Sequence, residues 1–113
     1  MKALNFNDLE QPTWAVTLRD DDQTTVNLLA PSVELIDRLT AMAPALREAA
    51  DKKDGHAIQA AYGLIAEVMS CNDDGFKFTA EELRDRYKMK FIDLLIFTKG
   101  YFDFIDEIKN AKN

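Results

Sequence analysis

Residues 13–28 read Thr13-Trp14-Ala15-Val16-Thr17-Leu18-Arg19-Asp20-Asp21-Asp22-Gln23-Thr24-Thr25-Val26-Asn27-Leu28, and this stretch decides the fold class. Trp14, Val16 and Leu18 fall on one side of an alternating run rich in β-branched and aromatic types, and Val26 and Leu28 resume the alternation after a polar interruption. Two such runs joined by four or five Asp-rich residues predict a β-hairpin whose loop is built around a type I turn rather than a tight Asn-Gly turn. A hairpin of this kind offers a strand edge through which a chain can associate with another copy of itself. Ahead of it, Leu4 and Phe6 are expected to form a short third strand or to pack beneath, and Pro12 breaks the chain before Thr13.

Working outward, the hydrophobic period changes at Pro31. Val33, Leu35, Ile36, Leu39, Met42, Leu46 and Ala49 recur at steps of three and four, the stripe of an amphipathic helix, and Pro31-Ser32 supplies its start. Pro44 interrupts the stripe, so either a kink or two short helices meeting near Ala43 are expected. Asp51-Lys52-Lys53-Asp54-Gly55 reads as a polar stop, after which Ile58, Ala61, Tyr62, Ile65, Val68 and Met69 mark a second helix. Thr79 and Glu82 have the spacing of a capping box, with Phe78 and Leu83 placed to close a hydrophobic staple. That helix is expected to break or bend around Lys88-Met89-Lys90 before a last apolar helix over residues 91–108. The pattern predicts an α+β fold, mostly α, with an N-terminal β-hairpin packed on a bundle of about four helices. It reads as one domain over residues 1–113, with a hairpin region at 1–30 and a helical region at 31–113.

A wheel drawn at about 100° per residue separates two apolar faces on the last helix. Phe91, Leu94, Leu95, Thr98, Tyr101, Phe102, Ile105 and Ile108 share one broad arc, extended at its edge by Phe97 and Phe104, and this arc is core. Ile92 and Ile96 fall instead among Lys99, Asp103, Asp106 and Glu107. A helix apolar on a second side is covered by its own chain or by another protein. Both outcomes are open for Ile92 and Ile96: packing under the hairpin, or a surface that binds protein. Ile92, Ile96, Phe97, Phe104 and Trp14 are the candidate protein-binding residues.

Composition narrows the function classes. Fourteen Lys+Arg against twenty Asp+Glu give 113 residues a formal net charge of −6, with 47% hydrophobic residues. A low pI near 4.7 opposes nucleic-acid binding, which calls for a basic face. No apolar run is long enough for a membrane span and the start lacks the apolar core of a signal peptide, so a soluble cytoplasmic protein is expected. One cysteine, Cys71, and one histidine, His56, leave neither an internal disulfide nor a Cys/His zinc site.

The remaining constellations read as structure. Ser70, Asn72, Asp74 and Glu81 fall at the oxygen positions of a calcium loop with Gly75 sixth, but Ser70 stands where Asp is expected and Lys77 where a small apolar residue belongs. Turn and cap duty explain the same residues. The consecutive acids Asp20, Asp21 and Asp22 diverge on a loop, His56 lacks a catalytic partner, and Cys71 is followed by acids that disfavour a thiolate. Arg84, Arg86, Lys88 and Lys90 scatter over different helix faces among Glu81, Glu82 and Asp85. The expectation is a non-enzymatic protein with no catalytic residue, no metal, no cofactor, no small-molecule substrate, and no nucleic-acid or membrane partner.

With these pieces placed, the chain resembles the tail assembly chaperones of long-tailed bacteriophages and prophages. The likeness lies in the hairpin, Thr13-Trp14-Ala15-Val16-Thr17-Leu18-Arg19-Asp20-Asp21 through Thr24-Thr25-Val26-Asn27-Leu28, and in Ala30-Pro31-Ser32 entering a helix. It continues in Val68-Met69-Ser70-Cys71-Asn72-Asp73-Asp74-Gly75-Phe76-Lys77-Phe78-Thr79-Ala80-Glu81-Glu82-Leu83 and in the closing Tyr101-Phe102-Asp103-Phe104-Ile105-Asp106-Glu107-Ile108. The resemblance implies a protein of the bacterial host cytoplasm that binds the long tape-measure protein and helps tail tube subunits assemble around it, and the family has no catalytic residues to carry over. Two other readings stand beside it: a structural or adaptor protein of the head–tail junction or tail that assembles through its hairpin edge, and a DNA-binding regulator using the helix from Thr79.

Overall fold

A computed structural model describes residues 3–8 and 11–110. Strand β1 (Thr13–Thr17) pairs antiparallel with β2 (Thr25–Leu29), with Trp14 opposite Leu28 and Val16 opposite Val26. The side-chain phase is the one expected: Leu18, Val26 and Leu28 are buried, while Thr13, Ala15 and Thr17 face out. The connecting loop closes by a Gln23 N–H to Asp20 carbonyl bond of 3.0 Å, and Gln23 takes a left-handed φ of 49°. Asp20 fixes this turn, since its carboxylate accepts the Thr24 N–H at 2.8 Å and the Thr24 hydroxyl at 2.6 Å. Those bonds hold the Asp20 carboxyl below its usual range.

The expectation for Leu4 and Phe6 is overturned. Phe6–Asp8 form a single 3₁₀ turn, and Leu4 and Phe6 are 70% and 76% exposed. Neither side chain pairs or packs in this structure, since alternation over so few residues does not by itself fix a strand.

Three helices follow: α1 (Val33–Lys52), α2 (Gly55–Met69) and α3 (Phe91–Asn110), with a short helical turn at Glu82–Arg86 between the last two. Ser32 caps α1 by accepting the Leu35 N–H at 3.2 Å. The helix runs through Pro44 as one element instead of two. Thr40, whose carbonyl loses its partner at Pro44, is exposed, as is Pro44, so water can satisfy that carbonyl. Lys53, not Gly55, takes the left-handed position that ends α1, and Asp54 then caps α2 through the His56 and Ala57 N–H groups.

The capping box forms as spaced: the Glu82 N–H donates to the Thr79 hydroxyl and the Thr79 N–H to the Glu82 carboxylate, both at 3.1 Å. Phe78 and Leu83 are both buried. An i to i+5 bond from the Tyr87 N–H to the Glu82 carbonyl, 2.9 Å, ends the turn, and Lys88 (φ 55°) reverses the chain into α3.

The core lies where the inner face of the hairpin meets α1, α2 and α3, around Val26, Leu28, Leu39, Leu46, Ile65, Leu83, Leu94 and Tyr101. The molecule is a slab of 57 × 32 × 18 Å. Helix α3 is covered on one side only: Leu94, Phe97, Tyr101, Phe104 and Ile105 are buried, while Ile92, Ile96, Lys99, Asp103 and Asp106 are exposed. The result is an N-terminal hairpin on a mostly helical body. Among the described residues no helix is long and apolar enough to cross a membrane.

Candidate protein-binding surface

The hairpin is fixed on α3 by an aromatic seat and an ion pair. The Trp14 ring lies 5.5 Å from Phe97, 6.1 Å from Tyr101 and 6.2 Å from Phe104, centroid to centroid, and its far edge rests on Gly100. At the other end of β1, the Arg19 guanidinium donates Nη1 to Asp93 Oδ2 at 3.0 Å, Nη2 to Asp93 Oδ1 at 3.1 Å, and Nη1 to the Lys88 carbonyl at 2.7 Å. Asp93 also accepts the Lys90 N–H at 2.7 Å, so one carboxylate caps α3 and grips the hairpin. Arg19 first, then the Lys90 N–H, holds the Asp93 carboxyl below the usual carboxylate range. Tyr62 adds a further tie, its hydroxyl donating to the Met89 carbonyl ahead of α3.

This seat sorts the five candidate residues into two groups. Phe97 and Phe104 are buried under Trp14, so most of their surface is spent within the chain, and of the two only Phe97 keeps an edge on a cleft. Trp14 is half-buried and belongs first to that seat. Ile92 and Ile96 are 57% and 63% exposed, so they do not pack under the hairpin. One turn apart on α3, they form an exposed apolar ridge.

Clefts flank the ridge on both sides. Toward the hairpin, a cleft of about 210 Å³ is lined by Trp14, Val16, Met69, Met89, Ile96 and Phe97, with the Arg19–Asp93 pair at its end. Toward α1, an opening of about 540 Å³ has a floor of Leu46, Leu95, Thr98 and Phe102, rimmed by Arg47 and by Lys99 bonded to Asp103 at 3.2 Å. A ridge of i, i+4 side chains between two furrows has the relief that one helix presents to another.

The two hairpin edges differ, which sequence reasoning missed. Residues 71–74 close the outer edge of β2: the Leu29 N–H donates to the Cys71 carbonyl at 3.0 Å, the Asp73 N–H to the Asn27 carbonyl at 2.9 Å, and the Asn27 N–H to Asp74 Oδ2 at 2.8 Å. Among the described residues nothing pairs with the β1 edge. Asn72, read as part of a turn, is the hub of the closing segment, with Oδ1 accepting the Asp74 and Phe76 N–H groups and Nδ2 donating to the Met69 and Phe76 carbonyls. The oxygens of Asn72 and Asp74 that a calcium loop would require are engaged with backbone and Asn27 donors.

The other polar residues also serve structure. The Cys71 thiol points to the Glu67 carbonyl at 3.6 Å, and the exposed His56 contributes its backbone N–H to the Asp54 cap. Arg84 bonds Asp85 and Gln59, while Arg86 lies over the Tyr87 ring, so the basic series converges on no single face. No family model, curated protein or solved structure matches this chain.

Proposed function

We propose that the chain is a non-enzymatic tail assembly chaperone of a phage or prophage, which binds the tape-measure protein in the bacterial cytoplasm and promotes tail tube assembly. One observation carries the reading: Ile92 and Ile96 stand exposed on α3 between an apolar cleft under the hairpin and a charge-rimmed opening toward α1, in a protein of net charge −6. Such relief suits helix-in-groove capture of a partner's apolar helical stretches. The surplus negative charge keeps the holder and its client in solution. A second reading, a structural or adaptor component of the tail, is favoured by the open β1 edge. It differs in that the protein would remain in the finished particle.

The test is co-expression of the chain with successive segments of a tape-measure protein, followed by affinity capture. Wild type recovers at least one segment, and Ile92→Asp with Ile96→Asp loses it. Because both side chains are exposed, the double variant melts within about 4 °C of wild type. Recovery of no segment by a folded wild type, or undiminished capture by the double variant, refutes the proposal.

A further inference from the structure

The open edge of β1 has a defined chemistry. In an antiparallel pair, opposed residues alternate between exchanging hydrogen bonds and pointing their backbone groups away. The Leu18 N–H bond to the Thr24 carbonyl, 2.8 Å, sets the phase. By the register, Val16 and Trp14 also bond inward, whereas Thr13, Ala15 and Thr17 turn their N–H and C=O groups outward. No described residue bonds those six groups. The edge carries no charge, proline or bulge to block a further strand, and beneath it lies the apolar cleft of Trp14, Val16, Met89 and Ile96. A strand added here satisfies the backbone and directs every second side chain into the cleft.

A segment of that description exists elsewhere in the same chain. Residues 3–7 alternate Ala3, Leu4, Asn5, Phe6, Asn7, and both large apolar side chains are the most exposed aromatic and leucine of the described chain. Among the described residues the segment is held by a three-residue turn and one Asn7 N–H bond to Asn5 Oδ1 at 3.0 Å. We propose that the β1 edge and the cleft beneath it receive residues 3–7 of a second copy of this chain, in a reciprocal exchange that adds a third strand to each sheet.

Within one chain, Leu4 and Phe6 stand exposed while the edge stays open, so both halves of the contact are unengaged together. A two-fold arrangement engages both at once, which is the economy of an isologous interface. Charge permits it, since residues 3–7 and 13–17 contain no ionisable side chain and the −6 of each copy lies elsewhere. Salt screens that mutual repulsion, so association strengthens with ionic strength, opposite to the capture of a basic partner.

The test uses the full chain without any client, so its outcome is separate from that of the chaperone proposal. Sedimentation velocity over a micromolar to millimolar series is read together with amide hydrogen exchange at Thr13, Ala15 and Thr17. Expected are a concentration-dependent dimer, edge amides slowed about tenfold or more in the dimer alone, and loss of both in Leu4→Asp with Phe6→Asp, whose melting temperature in dilute solution equals that of the wild-type monomer. Exposed positions make that variant safe for folding. A monomer throughout, a dimer that survives the double variant, or edge amides already protected in the dilute monomer would each overturn the proposal, the last by showing that the chain fills its own cleft.

Discussion

Gly100 lies inside α3, where alanine ordinarily improves a helix by about 1 kcal/mol. Here the substitution Gly100→Ala is expected to destabilise. A Cβ at this position falls 2.8 Å from both Cη2 and Cζ2 of Trp14, where ordinary contact begins at 3.4 Å. The indole is rigid and packed against Phe97, Tyr101 and Phe104, so a shift that relieves the clash gives up part of that packing. Overpacking of this kind costs about 1–3 kcal/mol, and after the propensity gain a net loss of about 1 kcal/mol remains. For a chain of this size that is a fall of about 4 °C in melting temperature, read by circular dichroism and confirmed by the urea midpoint. The decisive comparison is the same substitution in a Trp14→Leu background, where the shorter side chain vacates the seat. There Gly100→Ala should stabilise by up to about 1 kcal/mol, reversing sign and giving a coupling of about 1–3 kcal/mol. A stabilising effect in the wild-type background, or the same effect in both, refutes the indole seat and with it the assignment of Trp14 as a wall of the cleft.

Asp93 carries a pH prediction. Its folded-state carboxyl is depressed, so its contribution is present above the ordinary carboxylate value near pH 4 and is lost as pH falls through the lower folded value. Wild type should therefore exceed Asp93→Asn in urea midpoint at neutral pH, with the gap closing below about pH 4; a gap constant with pH counts against the pair. Tyr101 presents the reverse case, a buried hydroxyl with no hydrogen-bond partner among the described residues, and burial pushes its phenol above the usual range. Tyr101→Phe should raise the melting temperature by a few degrees, about 1 kcal/mol from relief of an unpaired hydroxyl, and a fall would show that the hydroxyl is bonded.

What was legible in the sequence was local. The phase of the hairpin follows from alternation, and the capping box from Thr79 and Glu82, because each contact is fixed by residues within a few positions of one another. Of the two outcomes open for Pro44, the split into two helices does not occur, because the cost of a helical proline depends on whether the orphaned carbonyl faces water, and a one-dimensional pattern does not contain that. The closure of β2 by residues 71–74 is a pairing across more than forty positions with no local signature. The wheel placed Ile92 and Ile96 correctly on the polar side of α3. It did not show that Phe97 and Phe104, at the border of the arc, lie beneath Trp14, since a wheel gives angles within a helix and not where a hairpin lands on it.

Two kinds of apolar surface are therefore open, and they ask for different partners. The β1 edge presents backbone donors and acceptors, which only an extended chain can meet at the right spacing. The α3 ridge presents side chains one helical turn apart, which suit a helix and offer a strand nothing to bond. Ile96 belongs to both, since it forms half the ridge and lines the cleft under β1. A strand seated on β1 therefore covers one flank of the surface proposed for the client, while Ile92 and the α1-side furrow stay free. On this geometry, exchange of residues 3–7 between copies narrows the client surface without closing it. The two proposed contacts meet at Ile96, so a substitution there disturbs both, whereas Leu4 and Phe6 report on the strand exchange and Ile92 on the helix alone.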